Sequence, residues 1–244
     1  MKNILLLGAT SDMAQAIAKK YIEADWSVTL AGRSTEALKT IKTDLLIRSK
    51  ETPVDIVQFD ATDFASHAKF YDALKTKPDA VACVFGYMAE QEEAAADFEK
   101  TKQMIDTNFT GAISILNIVA NDFEQRKTGT IIGISSVAGD RGRQSNYLYG
   151  CTKAGFSAYL AGLRNRLFQS GVHVMTVKPG FCTTRMTVHL DLPPAVTASP
   201  EQVAEAVFKG AKKQKNVIYV RWMWRGIMCI IRHIPELIFK RMKM

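Results

Sequence analysis

Seven short apolar runs alternate with longer amphipathic stretches along most of this chain, and this alternation restricts the fold more than any other feature. The apolar runs predict strands near Asn3–Leu7, Ser27–Ala31, Val54–Phe59, Ala80–Phe85, Gly129–Ser135, Val172–Lys178 and Val217–Val220. The stretches between them predict helices near Asp12–Ala24, Thr35–Ser49, Asp63–Thr76, within Asp97–Arg126, Ser145–Ser170 and Pro200–Lys213. Strands separated by helices form a parallel sheet that is covered on both faces.

Right-handed crossovers make such a sheet doubly wound, with ligands at the carboxyl ends of its strands. We therefore predict an α/β fold: a single-domain Rossmann-type doubly wound parallel sheet of about seven strands. The 244 residues are 47% hydrophobic, which is enough for a full core, and no linker divides them. We assign residues 1–220 to this domain and residues 221–244 to an amphipathic C-terminal extension.

The cysteines form no CxxC pair and the histidines have no metal-ligand spacing, which predicts a reduced cytoplasmic protein without a structural metal. The net charge is +8, and much of it lies in the extension. The rest of the chain is nearly balanced, which argues against a nucleic-acid surface.

A candidate reaction centre is formed by Ser136, Tyr149 and Lys153. Tyr149 and Lys153 are four residues apart, so they share one face of a helix. A phenol titrates near ~10, and a neighbouring cation favours the phenolate and lowers that pKa. Ser136, arriving from a strand end, could hold a substrate oxygen while Tyr149 transfers the proton. The alternative for the pair alone is a half-buried ring beside a solvated ammonium.

A turn of small residues follows the first predicted strand and precedes a helix. Such a turn brings backbone amides and a helix N-terminus toward phosphate oxygens. Its candidate nucleotide contacts are Gly8, Thr10, Ser11, Asp12 and Met13. The alternative is a tight turn capped by Ser11 or Asp12. Asp12 is unfavourable beside a pyrophosphate unless its carboxylate points away.

The second strand ends at Gly32 and Arg33. Folds that prefer NAD usually place an acidic residue here for the ribose hydroxyls, whereas an arginine accommodates a 2′-phosphate. We interpret Arg33 as a phosphate ligand, and the alternative is a loop arginine that faces solvent. The predicted cofactor is NADP(H), preferred over NAD(H).

With these features in chain order, residues 1 to about 220 resemble the short-chain dehydrogenase/reductase family. The family's TGxxxGxG motif corresponds to Leu7 through Ala14, with Asp12 and Ala14 in place of two glycines. Its NNAG motif corresponds to Cys83 through Gly86, of which only the glycine is kept, so polar bracing of the sheet there is in doubt. Further matches are Asp60 and Ala61 after the third strand, Asn108 in a helix, and Pro179, Gly180, Cys182 and Thr184 in the family's PG motif and the loop after it.

The resemblance implies that Ser136, Tyr149 and Lys153 reduce a carbonyl or oxidise an alcohol. It also implies that Asn108 holds a water in a proton relay, that Lys153 holds the nicotinamide ribose, and that Gly86 and the PG segment contact the cofactor. Ser136 is preferred to Ser135 because the thirteen-residue step to Tyr149 is the family's spacing. A homodimer or homotetramer built on the Asp97–Arg126 and Ser145–Ser170 helices is expected. The competing hypothesis is a nucleotide-sensing or scaffold protein that kept the fold and lost the chemistry.

The substrate side is less informative. Thr183–Ser199 is predicted as a lid with apolar surface, in which Arg185 and His189 lie at the surface and Met186 and Leu190 supply apolar side chains. Tyr147 is a second phenol, interpreted as a wall or packing residue because it is off the helical face of Lys153.

The extension has six basic residues against Glu236 alone, an apolar stripe at helical spacing, and Trp222 and Trp224 near its start. Tryptophans with basic residues are typical of an interfacial helix, which predicts membrane contact through Trp222–Met244, at the inner face. The alternative is that the stripe packs on the body or on a second subunit and hides both tryptophans. The tail also resembles that of reductases acting on a polyprenyl-phosphate-linked 2-keto-pentose, which favours a lipid-linked or apolar substrate.

Overall fold

The computed structural model describes residues 1–49, 52–185, 187–188 and 191–243. Its strands are β1 (Asn3–Leu7), β2 (Ser27–Gly32), β3 (Val54–Gln58), β4 (Ala80–Cys83), β5 (Thr130–Ile134), β6 (His173–Pro179) and β7 (Val217–Val220). Within the described residues these seven strands form one sheet in the order β3-β2-β1-β4-β5-β6-β7, and every neighbouring pair is parallel. The predicted fold class is confirmed.

The helices are α1 (Asp12–Ile22), α2 (Thr35–Arg48), α3 (His67–Asp72), α4 (Gln91–Ala96), α5 (Phe98–Ile105), α6 (Ala112–Arg126), α7 (Tyr147–Leu167), α8 (Pro200–Lys212), α9 (Met223–His233) and α10 (Glu236–Phe239). Short 3₁₀ turns lie at Phe64–Ser66, Val137–Gly139, Phe168–Ser170 and Pro194–Val196, and a π-helical turn at Asp106–Gly111. Most predicted elements end within two or three residues of these bounds.

The stretch predicted as one long helix within Asp97–Arg126 is divided into α5, the π turn and α6. Gly111, the last residue of the π turn, lies so close to the loop after β3 that a Cβ there would be 2.0 Å from the carbonyl oxygen of Ala61. The local widening of the helix accompanies this close approach, and π turns of this kind are frequent at functional sites. The helix α4 was not predicted.

The helix predicted at Asp63–Thr76 is shorter than expected. It begins with a 3₁₀ turn, and α3 ends at Asp72. The side chain of Lys77 donates to the carbonyl oxygen of Tyr71 at 2.6 Å, and this oxygen also accepts from the backbone nitrogen of Leu74 at 3.3 Å. Pro78 follows, and a residue before proline is biased away from helical geometry.

Each face of the sheet is buried under helices. In β1, Ile4 and Leu6 belong to one apolar cluster with α1, α2 and α8, while Leu5 and Leu7 belong to a second cluster with α3, α6 and α7. All four side chains are fully buried. A strand buried on both faces reads as a continuous apolar run, which is why the parallel sheet was predictable from the sequence.

The functional end of the molecule lies where β1 pairs with β2 on one side and β4 on the other. The loops after β1 and β4 meet there. Gly8 has φ +84°, and a Cβ on it would be 2.6 Å from the backbone nitrogen of Phe85. A crevice at the carboxyl ends of the strands, at such a change in strand order, is the usual ligand site of open α/β sheets.

Candidate active site

A cleft of about 420 Å³ runs along this edge of the sheet. The predicted site residues in its wall are Gly8, Thr10, Ser11, Asp12, Met13, Arg33, Asp60, Ala61, Gly86, Tyr149, Lys153 and Thr184. The cleft therefore joins the predicted nucleotide turn to the tyrosine and lysine. Asn108, Ser136, Pro179, Gly180 and Cys182 are outside its wall, and each is placed below through its own contacts.

Tyr149 lies in the first turn of α7 and is half-buried. The hydroxyl of Ser136 lies near its phenol. Ser136 follows β5, and its Oγ also accepts from the backbone nitrogen of Ala138 at 3.1 Å, which fixes the serine at the start of a 3₁₀ turn. Burial raises the pKa of Tyr149, nearby Cys182 raises it further, and the Ser136 hydroxyl lowers it. The net shift is upward because burial is the largest cause, and the lowering of this pKa by Lys153 stays a prediction.

Lys153 is buried one helical turn after Tyr149. Its Nζ donates to the carbonyl oxygen of Ile134 at 3.1 Å and lies 5.7 Å from the centroid of the Tyr149 ring. Burial lowers the pKa of Lys153 to about 8, while Cys83 acts in the opposite direction. Among the described residues no carboxylate forms an ion pair with this ammonium. A buried cation held by one carbonyl keeps capacity to donate into the cleft.

Ser135 and Ser136 have different surroundings. The Ser135 hydroxyl donates to the carbonyl oxygen of Lys153 at 3.0 Å and lies 2.7 Å from the hydroxyl of Ser157. Ser135 therefore braces α7 against β5. Ser136, whose hydroxyl reaches the phenol, is the serine that can contact a substrate oxygen.

Asn108 is buried in the π turn. Its Nδ2 donates to the carbonyl oxygen of Tyr87 at 2.7 Å and to the hydroxyl of Thr152 at 3.1 Å, and its Oδ1 accepts from the nitrogen of Tyr87 at 2.7 Å. The side chain thus clamps the loop after β4 to α7. The water-holding role that the resemblance implies stays a prediction.

The segment in place of the family's NNAG motif is braced by apolar packing. Cys83 and Val84 are buried, and the backbone nitrogens of Val84 and Phe85 both donate to the carbonyl oxygen of Leu7, at 2.9 and 3.2 Å. The retained Gly86 lies close to the catalytic candidates: a Cβ there would be 3.3 Å from Oδ1 of Asn108 and 3.6 Å from Nζ of Lys153.

At the nucleotide end, Asp12 does not cap α1. Ser11 is the cap, and its Oγ accepts from the nitrogen of Ala14 at 3.2 Å. The carboxylate of Asp12 accepts from Nε and from the backbone nitrogen of Arg185, at 2.9 and 2.8 Å, and the Arg185 guanidinium also donates to the carbonyl oxygen of Thr10. Arg185 belongs to the predicted lid, so this ion pair fastens the lid across the cleft and neutralises the acid. The sequence suggested neither the contact nor its partner.

Arg33 projects from the end of β2 and is exposed. Within the described part of the chain its guanidinium has no hydrogen-bond or ion-pair partner. The nearby carboxylate of Asp60 accepts from the nitrogen and hydroxyl of Thr62, at 2.9 and 2.8 Å. These bonds, together with the charges of Arg33 and His67, lower the pKa of Asp60. Arg33 is therefore a cation available to a ligand beside an ionised acid.

The PG segment carries a feature that was missed at the sequence level. Pro179 ends β6, and Gly180 lies directly under Trp224 of α9, since a Cβ on the glycine would be 2.0 Å from the indole. The Trp224 ring meets Phe181 edge-on with centroids 5.4 Å apart, and its Nε1 donates to the carbonyl oxygen of Val196 at 2.8 Å. The C-terminal extension therefore packs on both ends of the lid segment.

Cys182 is buried beside Tyr149 in the lid segment, and burial raises the pKa of its thiol to about 12. Its backbone pairs with Ala198, and Thr187 donates to its carbonyl oxygen. The nitrogen of Thr184 donates to the Thr187 hydroxyl at 3.1 Å. The predicted lid residues Met186, His189 and Leu190 lie outside the described residues.

Arg141, close after Ser136 in the chain, fastens the extension from the other side. Its guanidinium donates to the carbonyl oxygens of Ile231 and Ile234, at 2.7 and 2.6 Å, and to the carboxylate of Glu236 at 2.9 Å. The same guanidinium lies 3.6 Å from the centroid of the Phe239 ring. The packing alternative for the extension is therefore observed for its inner face. Trp224 is buried, but Trp222 is 85% exposed, so only one of the two tryptophans is hidden.

A doubly wound parallel sheet with this cleft is typical of nucleotide-binding proteins. The profile of the family described as short chain dehydrogenase matches residues 2–193. The chain belongs to the short-chain dehydrogenase family, which confirms the resemblance noted in the sequence and makes it an oxidoreductase of a family that uses nicotinamide cofactors.

Individual similarities span nearly the whole chain. An uncharacterised oxidoreductase of Streptomyces coelicolor is 30% identical over 244 residues, covering 99% of this chain and 96% of that protein. An uncharacterised oxidoreductase of Mycobacterium tuberculosis is 27% identical over 242 residues, with coverages of 98% and 96%. A short-chain dehydrogenase from Sphingobium yanoikuyae in complex with NADPH has a TM-score of 0.82 at 21% identity and 97% coverage of both chains. Other similar structures hold NAD, so this likeness establishes the fold and leaves the choice of cofactor to the residues.

In the described part of the chain, no helix combines the length and the apolar character needed to cross a bilayer.

Proposed function

We propose that the chain is an NADP(H)-dependent reductase that converts a carbonyl to an alcohol, or catalyses the reverse reaction, through Ser136, Tyr149 and Lys153. The observation that carries the proposal is the position of the Ser136 hydroxyl beside the Tyr149 phenol, whose pKa it lowers, with the buried Lys153 ammonium on the same face of α7. Tyr149 and Lys153 line one end of a crevice whose other end is the Gly8 turn and Arg33, and Ser136 lies beside Tyr149.

The residues around the cleft fit a nicotinamide dinucleotide. Arg33 and Lys153 supply cations toward its two ends, and the α1 N-terminus, whose dipole favours phosphate, opens between them. The acid that would repel phosphate, Asp12, is paired with Arg185. Gly86 leaves a space between Asn108 and Lys153 that a side chain would fill. When bound, the cofactor supplies the hydride that reduces the carbonyl carbon.

The protein's part is proton transfer and orientation. Tyr149 stays protonated near neutral pH because burial raises its pKa, so it is a donor to the carbonyl oxygen as negative charge develops there. The Ser136 hydroxyl holds the same oxygen and keeps it within reach of the phenol. Lys153, positioned over the Tyr149 ring, stabilises the phenolate left after transfer, and the proton is then restored from solvent.

The preference for NADP(H) rests on Arg33. Its exposed guanidinium has no protein partner among the described residues and borders the cleft next to Gly32, where an NAD-preferring fold would place an acid. A guanidinium matches the geometry of a phosphate bidentately, which a ribose hydroxyl cannot exploit.

An apolar, lipid-linked or otherwise hydrophobic carbonyl compound fits the substrate side best. The cluster beside Ser136 consists of Val137, Trp224, Met228 and Ile231, with Val196 and Tyr219 against it. Polar groups there are few and already bonded, as with the Trp224 nitrogen on Val196. The members of this cluster are buried behind Ser136 and give the substrate side an apolar backing. We also propose a dimer or tetramer through α6 and α7, testable by light scattering.

The decisive experiment is to follow NADPH oxidation against ketosugars, steroids, acyl thioesters and polyprenyl-linked ketones. We expect turnover with an apolar carbonyl compound and loss of that turnover in Tyr149→Phe. The competing hypothesis of a nucleotide-sensing protein gives the opposite result: tight NADPH binding by calorimetry without turnover of any carbonyl class, and no difference between the wild type and Tyr149→Phe.

A further inference from the structure

The C-terminal arm, residues 221–243, has two unlike faces. Its inner face is the cluster of Trp224, Met228 and Ile231 against Val137, all buried. Its outer face exposes large apolar side chains: Trp222 is 85% exposed, Leu237 71% and Ile230 70%. The inner stripe is already buried, so the outer apolar side chains form a second surface, which has no partner among the described residues.

The orientation of the arm is fixed. Trp224 sits on Gly180 and donates to Val196, and Arg141 binds the carbonyl oxygens at the C-terminal end of α9. These contacts hold α9 at both ends, so the outer face cannot turn inward without breaking them. The contacts of α9 therefore fix the outward direction of Trp222 and Ile230.

The charge of the outer surface has one sign. The basic residues Arg225, Arg232, Lys240, Arg241 and Lys243 are all exposed. The acid of the arm, Glu236, is paired with Arg141. Exposed tryptophan and aliphatic side chains surrounded by arginine and lysine are the composition of helices that lie in the interface of an anionic bilayer.

We propose that the outer face of the C-terminal arm docks on an anionic lipid bilayer. Charge complementarity favours this occupant over a second copy of the chain, because a two-fold contact would bring the same basic patch of each copy together. The proposal goes beyond the proposed function, and it would place the proposed reaction at a membrane surface. An α-helix with its side chains is only about 10–12 Å across, and the inner side of α9 contacts the residue next to Ser136. Docking would therefore place the substrate side close to the lipid surface, where an apolar carbonyl compound is concentrated.

The test is co-sedimentation of the full chain with vesicles of phosphatidylcholine alone and of phosphatidylcholine with phosphatidylglycerol, at low and high salt. We expect binding only to the anionic vesicles, weakening with salt, and a blue shift of Trp222 fluorescence. Arg225→Gln with Arg232→Gln and Lys240→Gln should weaken partitioning roughly a hundredfold, since each basic side chain contributes about fivefold near such a surface. Trp222→Ser with Ile230→Ser and Leu237→Ser should abolish it.

The matched control is Ile47→Ser with Phe168→Ser, which removes side chains of similar exposure, 76% and 74%, elsewhere on the surface and should bind like the wild type. Melting temperatures of all variants report folding. Oxidation of NADPH with a water-soluble carbonyl compound should be unchanged in the arm variants, so failure of docking is distinguishable from failure of the proposed function. The proposal is overturned by absence of binding to anionic vesicles, by equal binding of the arm variants, or by light scattering that shows a dimer which the arm variants dissociate.

Discussion

The two ends of the cleft use the same kinds of residue in opposite surroundings. At the catalytic end, Lys153 is 4% exposed, and burial shifts the pKa values of both Lys153 and Tyr149. At the nucleotide end, Arg33 is exposed, and the Asp12–Arg185 ion pair has side-chain exposures of 27% and 70%. Charges in a low dielectric interact strongly, whereas exposed ones are screened by water and salt. The catalytic end should therefore control the rate of the reaction. The nucleotide end should control the choice of cofactor and the affinity for it.

The largest effect is expected at the catalytic end. Tyr149→Phe removes the proton donor and should lower kcat about 10²–10⁴-fold, the usual contribution of general acid catalysis. The dissociation constant for NADPH should change little. Tyr147→Phe is the matched control, since Tyr147 is 47% exposed and its loss should leave kcat near the wild-type value. Stopped-flow and calorimetric measurements separate the two constants, and a Tyr149→Phe variant with ordinary turnover would remove the catalytic assignment.

The next largest effect concerns selectivity at the nucleotide end. A charge-assisted phosphate contact contributes about 1.5–3 kcal/mol, so NADP(H) should bind roughly tenfold to a hundredfold tighter than NAD(H). Arg33→Ala should reduce that ratio toward one without lowering kcat at saturating cofactor. Titration calorimetry with both cofactors measures it. Equal affinities in the wild type, or a ratio unaltered by the substitution, would show that another residue selects the cofactor.

A pH profile tests whether burial at the catalytic end matters. The pKa of Lys153 is lowered to about 8, so the ammonium is present below that pH and is lost above it. Because Tyr149 has a raised pKa, it remains protonated through this range. The kcat/KM for NADPH should therefore be constant below about pH 8 and fall about tenfold per unit above it. The Lys153→Arg variant stays charged over the whole range. Its kcat/KM should be lower, but it should not fall above pH 8. If kcat/KM still falls above pH 8 in Lys153→Arg, the fall is caused by a group other than Lys153.

The smallest effect is expected for the exposed ion pair across the cleft. Arg185→Ala leaves Asp12 without its cation near the phosphates and should weaken NADPH binding by a few-fold, as surface pairs contribute about 0.2–1 kcal/mol. Replacing both residues, Asp12→Ser with Arg185→Ala, should restore the affinity. A double-mutant cycle on the dissociation constant gives the coupling. If the single and double variants bind equally, the pair does not act on the cofactor.

The sequence predicted those features that depend on hydrophobic periodicity and on the spacing of residues along the chain. Buried parallel strands are apolar runs, so β1 through β7 and the helices between most of them were visible, and Tyr149 and Lys153 share a helical face by spacing alone. What it could not predict depends on contacts between distant residues. The π turn follows from the approach of Gly111 to Ala61, and the partner of Asp12 lies more than 170 positions away in Arg185.

The same reason explains why the sequence did not predict the net direction of the Tyr149 pKa shift. Sequence spacing showed that a cation lies nearby, but the depth at which both groups are buried is a property of the whole fold, and desolvation is the largest cause of the upward shift of the Tyr149 pKa. The sequence likewise could not show which side of the C-terminal arm packs on the domain, because one amphipathic stripe is compatible with packing on the protein and with docking on a membrane. The position of Gly180 under Trp224 and the hydrogen bond of Trp224 to Val196 show which tryptophan turns inward.

The packing of Trp224 on Gly180 also affects the order in which parts of the chain can fold during synthesis. A ribosome makes the chain from its N-terminus at about 5–20 residues per second, and N-terminal parts fold first. β1 through β6 and the Tyr149 helix can assemble while the arm is still unmade, but the lid segment next to Gly180 gains its cover only when the last residues emerge. A nascent chain can therefore form its cleft before the C-terminal arm covers the segment after β6.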